Sequence, residues 1–139
     1  MTTIRRATEH DSASILRLTR DFATSFETDE PTWCTSFDQI LQKPEAVLLV
    51  AEEGGVIIGY LLGFDHPTLH ANGPTAWVDE LAVDPASQRT GAGRALMRAF
   101  EDWSRERGCV LVGLATRRAA AFYNAIGYEE SAAYFRKVF

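Results

Sequence analysis

The run Gln88-Arg89-Thr90-Gly91-Ala92-Gly93 carries two glycines one residue apart, where a β-rich stretch ending Leu81-Ala82-Val83-Asp84-Pro85 gives way to helical periodicity. Glycines let the backbone curl so that successive N–H groups point inward, and a helix starting just after them adds its positive N-terminal end. The chemistry such a cradle serves is anion binding, a phosphate above all. Gln88, Arg89, Thr90, Gly91, Ala92, Gly93 and Arg94 are the candidate contacts. No Gly-Lys-Ser/Thr follows, so this is not a Walker A loop, and Leu96 fills the third glycine position of a dinucleotide-binding GxGxxG. Read in isolation, the same residues also describe a turn that only starts a helix.

The elements that must hold this cradle follow from periodicity. Ile4-Arg5-Arg6 reads as a first strand. Thr8 and Asp11 form a capping box ahead of Ile15, Leu18, Phe22 and Phe26, which are spaced for a first helix. Around Pro31 the pattern breaks, so Glu27 to Ser36 reads as an acidic, aromatic loop, with a short second helix over Phe37 to Gln42 ahead of Pro44. The β-rich runs Ala46–Ala51 and Val56–Phe64, joined by Glu53-Gly54-Gly55, predict a hairpin at the centre of the sheet. Ala76–Val83 is a fourth strand, ended by Pro85. A helix from Gly91 to Arg107 shows Leu96, Met97, Phe100 and Trp103 on one face and stops at Gly108. Val110–Leu114 is a buried strand reached by a right-handed parallel crossover. Ala119–Ile126 is a last short helix stopped at Gly127, and the tail from Ala132 to Phe139 is expected to close the sheet.

The two segments rich in glycine and tyrosine carry a family resemblance. Val83-Asp84-Pro85-Ala86-Ser87-Gln88-Arg89-Thr90-Gly91-Ala92-Gly93 resembles the pyrophosphate motif, Q/R-x-x-G-x-G/A, of the GNAT superfamily of N-acetyltransferases. Ala119-Ala120-Ala121-Phe122-Tyr123-Asn124-Ala125-Ile126-Gly127-Tyr128 is similar to that family's A-x-x-F-Y-x-x-x-G-F/Y element. The order of elements over nearly the whole chain agrees with it. The fold implied is α/β: a mixed, mostly antiparallel sheet of six to seven strands with a central, splayed parallel pair, flanked by about four helices. The resemblance implies acetyl-CoA as co-substrate. Its pantetheine arm would lie along the fourth strand like an added β-strand, against the backbone of Leu81, Ala82 and Val83, with the N–H groups of Arg89 through Arg94 on its pyrophosphate. Thr116 stands where the family often has an asparagine that touches the cofactor.

Acetyl transfer from a thioester to an amine needs a neutral amine, an oxyanion stabiliser and a proton for the departing thiolate. By analogy with the family, Tyr123 supplies that proton; otherwise it is an aromatic packed between helix and sheet. For the base there are two candidates, Asp79 and Glu80, which strand alternation sends to opposite faces. Glu80 is preferred, acting directly or through water, and a backbone N–H near Leu81 is assigned to the oxyanion. The loop with Glu27, Asp29 and Trp33 falls where the fold covers its acceptor pocket, and its charge suits a cationic amine, although a solvated acidic loop looks the same.

Composition narrows the remaining classes. The 139 residues are 46% hydrophobic and 24% charged, with ten glycines and five prolines, which describes one folded domain over residues 1–139 rather than a disordered chain. Fourteen Lys and Arg against nineteen Asp and Glu leave a net charge of -5, the wrong sign for neutralising nucleic-acid phosphates. The apolar run Val56–Phe64 is too short to span a membrane and Met1-Thr2-Thr3-Ile4-Arg5 shows no signal-peptide core, so a cytoplasmic protein is expected. Cys34 and Cys109 lack CxxC spacing, and His66 and His70 are separated by a helix-breaking Pro67 with only Asp65 beside them, so no metal is expected. Trp77 and Trp103 read as core, and Arg117-Arg118 as a surface pair. The leading reading is direct acetyl transfer to a primary amine of a small molecule or peptide in a ternary complex. A non-catalytic acyl-CoA sensor is the alternative, and the apolar tail suggests a homodimer.

Overall fold

A computed structural model describes residues 1–139. The chain opens with β1 (Thr2–Arg6), passes a short 3-10 turn (Glu9–Asp11) into α1 (Ser12–Phe22), and continues through α2 (Glu30–Gln42) to the hairpin β2 (Ala46–Glu53) and β3 (Val56–His66). Then come β4 (Thr75–Val83), a 3-10 turn (Pro85–Ser87), α3 (Ala92–Glu106), β5 (Val112–Leu114) and α4 (Ala120–Ala125). Strand order is β1-β2-β3-β4-β5, antiparallel except for the parallel β4–β5 pair.

Local signals explain most boundaries. Thr8 and Asp11 form the expected capping box, and Asp11 is pinned by Arg5, whose Nη1 and Nη2 donate at 2.8 and 2.9 Å. Gly54 and Gly55 both take positive φ, 58° and 80°, as the tight turn of the hairpin requires. Two apolar layers result. Leu96, Met97, Phe100 and Trp103 of α3 pack on one sheet face with Val47, Leu49, Leu61 and Val78, while Ile15, Leu18 and Phe37 cover Leu48, Val50, Tyr60 and Leu62 on the other. The α3 helix approaches so closely that a Cβ on Gly63 would collide with the Phe100 ring.

Five expectations need correction. The sheet has five strands rather than six or seven, because the tail makes no ladder: residues 129–139 form no helix or strand and are exposed, Phe135 and Phe139 included. The parallel pair therefore lies at the sheet edge instead of its centre. The second helix starts at Glu30, well before Phe37. Pro31 sits in its first turn, where a missing N–H costs nothing, and Asp29 caps it by accepting from Thr32 N at 3.1 Å. The fifth strand is also shorter than expected, with Val110 and Leu111 left outside it and half exposed. Trp103 is core as expected, whereas Trp77 is only partly buried.

Candidate active site

The cradle is built by two consecutive reversals at the end of β4. Asp84 caps the turn after β4, accepting from Ala86 N at 3.0 Å, and is itself held by Arg17 at 3.1 Å. Hydrogen bonding to Ala86 N and then to Arg17 keeps the Asp84 carboxyl below its usual range. Thr90 Oγ1 donates to Ser87 O at 2.7 Å, and Arg89 adopts φ 74°, a conformation seldom taken by a residue with a side chain. Gly91 then caps α3 at φ 87° and ψ 6°. A Cβ there would meet no atom within 4 Å, so the demand for glycine comes from the backbone angle. The helix's first bond is Ala95 N to Gly91 O at 3.0 Å. The N–H groups of Gly91, Ala92, Gly93 and Arg94 donate to no backbone carbonyl outside α3 and lie too early in it for partners of their own. Gln88, Arg89, Thr90 and Arg94 are exposed, and neither arginine belongs to an ion pair.

The edge of β4 leads into this cradle. Pairing with β5 covers Ala76, Trp77 and Val78 and ends there, opposite Leu114, so from Asp79 onward β4 has no ladder partner on that side. On the other side, Asp84 N donates to Ile58 O at 2.7 Å, and Tyr60 is registered with Ala82. Because backbone groups alternate direction along an antiparallel ladder, Leu81 and Val83 turn their N–H and C=O groups away from β3, toward the gap.

A β-bulge decides where the acids point. Leu62 pairs with Glu80 and Gly63 with Val78, leaving Asp79 as the extra residue. Without the bulge, Val78 and Glu80 would share a face. Instead Val78 packs with α3, whereas Glu80 accepts from the Tyr60 hydroxyl at 2.7 Å on the face covered by α1 and α2. The alternation that would put Val78 and Glu80 on one face is thus broken, and the charge of Asp79 raises the pKa of both Glu80 and Tyr60. Burial raises the Glu80 carboxyl above its usual range; the bond from Tyr60 pulls it down, and Asp79 raises it again.

Across the splay, α4 carries Tyr123. It is half-buried, packs with Phe122 and Tyr128 on the α3-side core that also takes in Leu81 and Val83, and stands edge-on to both rings at 5.0 and 5.9 Å. Burial raises its phenol pKa, so the proton is retained at neutral pH. Phe122 also reaches the cradle, 3.4 Å from where a Cβ of Gly93 would stand. Thr116 is exposed and serves the backbone: its Oγ1 accepts from Ala119 N at 3.0 Å just before α4.

The acceptor-side residues divide. Trp33 stacks on Phe37 at 4.9 Å and donates through Nε1 to Thr19 Oγ1 at 3.2 Å. Thr19 Oγ1 lies 3.3 Å from the Tyr60 hydroxyl, which joins Trp33 to the surroundings of Glu80. Asp29 is spent on capping α2, and Glu27 is exposed in the α1–α2 loop. Asp65 binds Arg107 bidentately, at 2.6 and 3.0 Å, rather than joining His66 and His70. Two recesses, one lined by Thr8, His10 and Asp38 and the other by Ser36 and Lys43, contain none of these groups. Tyr60 is the neighbour of Glu80 that sequence reading missed. The signal available was its standing as the lone polar side chain in the apolar run Val56–Phe64.

The sequence matches the Acetyltransferase (GNAT) family over residues 12–128. The chain belongs to that family. As a GNAT acetyltransferase it is 31% identical, over 144 aligned positions, to an aminoglycoside N(6')-acetyltransferase type 1 of Stenotrophomonas maltophilia, covering 96% of this chain and 92% of that one. It is also 31% identical to the N-alpha-acetyltransferase RimI of Mycobacterium tuberculosis, over 77% of this chain and 67% of the relative. Among solved structures, a protein described as a transcriptional regulator from Bacillus halodurans superposes over the full length of both chains with a TM-score of 0.92 and 26% identity. The mixed five-stranded sheet with its parallel pair and four helices is the GNAT fold.

Proposed function

We propose that this GNAT acetyltransferase moves the acetyl group of acetyl-CoA to a primary amine by direct transfer within a ternary complex. One observation carries the reading: the free backbone edge of β4 at Leu81 and Val83 runs straight into the unpaired N–H groups of Gly91 through Arg94. An extended arm with amides and a pyrophosphate at one end matches that sequence of donors and acceptors. Arg89 and Arg94, both free of ion pairs, add positive charge for phosphates.

In this reading the neutral amine attacks the thioester carbonyl while Glu80 accepts the amine proton, directly or through water. A backbone N–H near Leu81 stabilises the tetrahedral oxyanion. As the C–S bond breaks, the Tyr123 phenol protonates the departing sulfur, leaving an N-acetyl product and free CoA. The position of Glu80 on the α1 and α2 face, near Trp33, supports an acceptor entering from that side. Excess negative charge, including Glu27 and Asp79, favours a cationic small molecule, in keeping with the aminoglycoside-acetylating relative. The RimI relative favours a second acceptor class, the free N-terminal amine of a peptide.

The test is thiol release from acetyl-CoA across a panel of aminoglycosides, polyamines, amino acids and peptides. Release that depends on an added amine supports catalysis and names its class. Tight acetyl-CoA binding with no release for any acceptor overturns it in favour of a sensing module. The exposed apolar tail at Tyr134, Phe135 and Phe139 supports a homodimer, which light scattering checks against the 15.4 kDa chain.

A further inference from the structure

Tyr60 lies 2% exposed in the middle of β3, and its hydroxyl sits at the centre of a chain of contacts crossing four elements. It donates to Glu80 Oε1 of β4 at 2.7 Å and lies 3.3 Å from Thr19 Oγ1 of α1. Thr19 Oγ1 accepts from Trp33 Nε1 of α2 at 3.2 Å and is 2.8 Å from Ile15 O. Counting protons sets the directions. A phenol has one proton to give, and the neighbouring carboxylate takes it. The single Thr19 proton goes to Ile15 O or to the Tyr60 oxygen, and its remaining lone pair meets the indole. In either case the Tyr60 proton points only at Glu80, and Thr19 Oγ1 backs the phenol oxygen at 3.3 Å.

We infer that Tyr60 is a positioning residue: its buried hydroxyl, braced by Thr19 and Trp33, holds Glu80 Oε1 so that Oε2 is the oxygen presented to the acceptor amine. This rests on the reading of Glu80 as the base. Oε2 accepts no bond from the protein, whereas Oε1 is committed to Tyr60. A purely architectural purpose is a poor fit, because β3 and β4 are already joined by backbone pairing from Gly59 to His66. A phenylalanine would fill the same space without burying a hydroxyl. The titratable groups facing Glu80 are Asp79, next to it on β4, and Tyr60 on β3; α1 and α2 bring only the uncharged Thr19 and Trp33 to this chain of contacts.

The decisive variant is Tyr60→Phe, with Glu80→Gln and the double variant alongside. Two readouts are followed: carboxyl-carbon NMR titration of the glutamates, with the Glu80 signal assigned by its loss in Glu80→Gln, and the pH profile of kcat/KM for an acceptor found by thiol release. Tyr60→Phe is expected to move both the Glu80 midpoint and the acid limb upward by about one pH unit, the worth of a hydrogen bond to a charged group. KM for acetyl-CoA stays unchanged. In the Glu80→Gln background, adding Tyr60→Phe changes kcat by less than about twofold. Thr19→Val, which loosens the brace from behind, moves the limb in the same direction by less. An unmoved Glu80 midpoint in folded Tyr60→Phe, or an equal loss of kcat with and without Glu80, overturns the positioning role while leaving Glu80 as base. A midpoint that moves with no matching move in the acid limb overturns the base assignment itself, and the inference with it.

Discussion

Replacing Tyr123 with phenylalanine separates chemistry from packing with unusual clarity, because the structure gives the hydroxyl nothing to hold. The ring is what packs: it stands edge-on to Phe122 and Tyr128 and joins the α3-side core, while its oxygen has no hydrogen-bond partner in the protein. Removing that oxygen opens no cavity and strands no buried donor, so stability is expected to stay within about 0.5 kcal/mol of the parent. Acetyl-CoA affinity also holds, because the β4 edge and the cradle are untouched. What disappears is the proton for the departing sulfur. General acid catalysis is worth roughly 100- to 10,000-fold, so kcat falls by that factor, which corresponds to about 3–5 kcal/mol of barrier. The assay is single-turnover CoA release, with solvent viscosity varied to establish that chemistry limits the rate. Burial raises the phenol above its ordinary pKa, so the parent keeps its acid through neutral pH and loses rate only in strongly alkaline solution; the variant lacks that alkaline fall. Retention of parental kcat where chemistry is limiting would refute the assignment, leaving Tyr123 as packing and water as the acid.

Three further outcomes follow from the same geometry. Gly91→Val forces a β-branched residue to φ 87°, which costs about 1–2 kcal/mol if the backbone stays and misaligns the cradle N–H groups if it relaxes; calorimetry should show CoA binding weakened by about tenfold or more, Gly91→Asn should do much less harm, and parental affinity in folded Gly91→Val would dismiss the cradle. Glu80 has its folded pKa raised, chiefly by burial, so ionising it costs stability as pH rises from the unfolded value through the folded one; Glu80→Gln should gain stability at pH 7 and nothing below about pH 4, and a gain equal at both would break the linkage. Asp11 has its pKa lowered, chiefly by the bond from Arg5, so its contribution is present above the unfolded value and fades as pH falls through the folded one. Asp11→Asn should cost about 1–3 kcal/mol at neutral pH, discounted for a partly solvated Arg5, and urea unfolding that shows the same deficit at pH 7 and in strong acid would contradict this.

How far the site could be read from sequence depends on which physical rule each part obeys. Helices and strands whose partners alternate with a fixed period were legible: α3 from Leu96, Met97, Phe100 and Trp103, and the β2–β3 hairpin from two glycines that do adopt positive φ. The strand-to-helix turn at Gly91 was legible for the same reason, since its backbone angle excludes most other residues. The start of α2 was not, because Pro31 reads as a helix breaker although it fits the first turn of this helix. Nor was the fate of the tail, whose loose apolar alternation satisfies a strand pattern while no sheet edge takes it up. The bulge at Asp79 is the deepest omission. Nothing in Ala76-Trp77-Val78-Asp79-Glu80-Leu81 marks one residue as unpaired, because the ladder register is set by β3 across the sheet. Yet that one irregularity determines that Glu80 shares a face with Tyr60, α1 and α2 while Leu81 remains with α3. The β4–β5 pairing also stops at Val78, the residue before it. In the proposed function, the free backbone edge for an acyl carrier and the carboxylate for an amine thus begin at neighbouring residues of one strand, on opposite sides of one interruption.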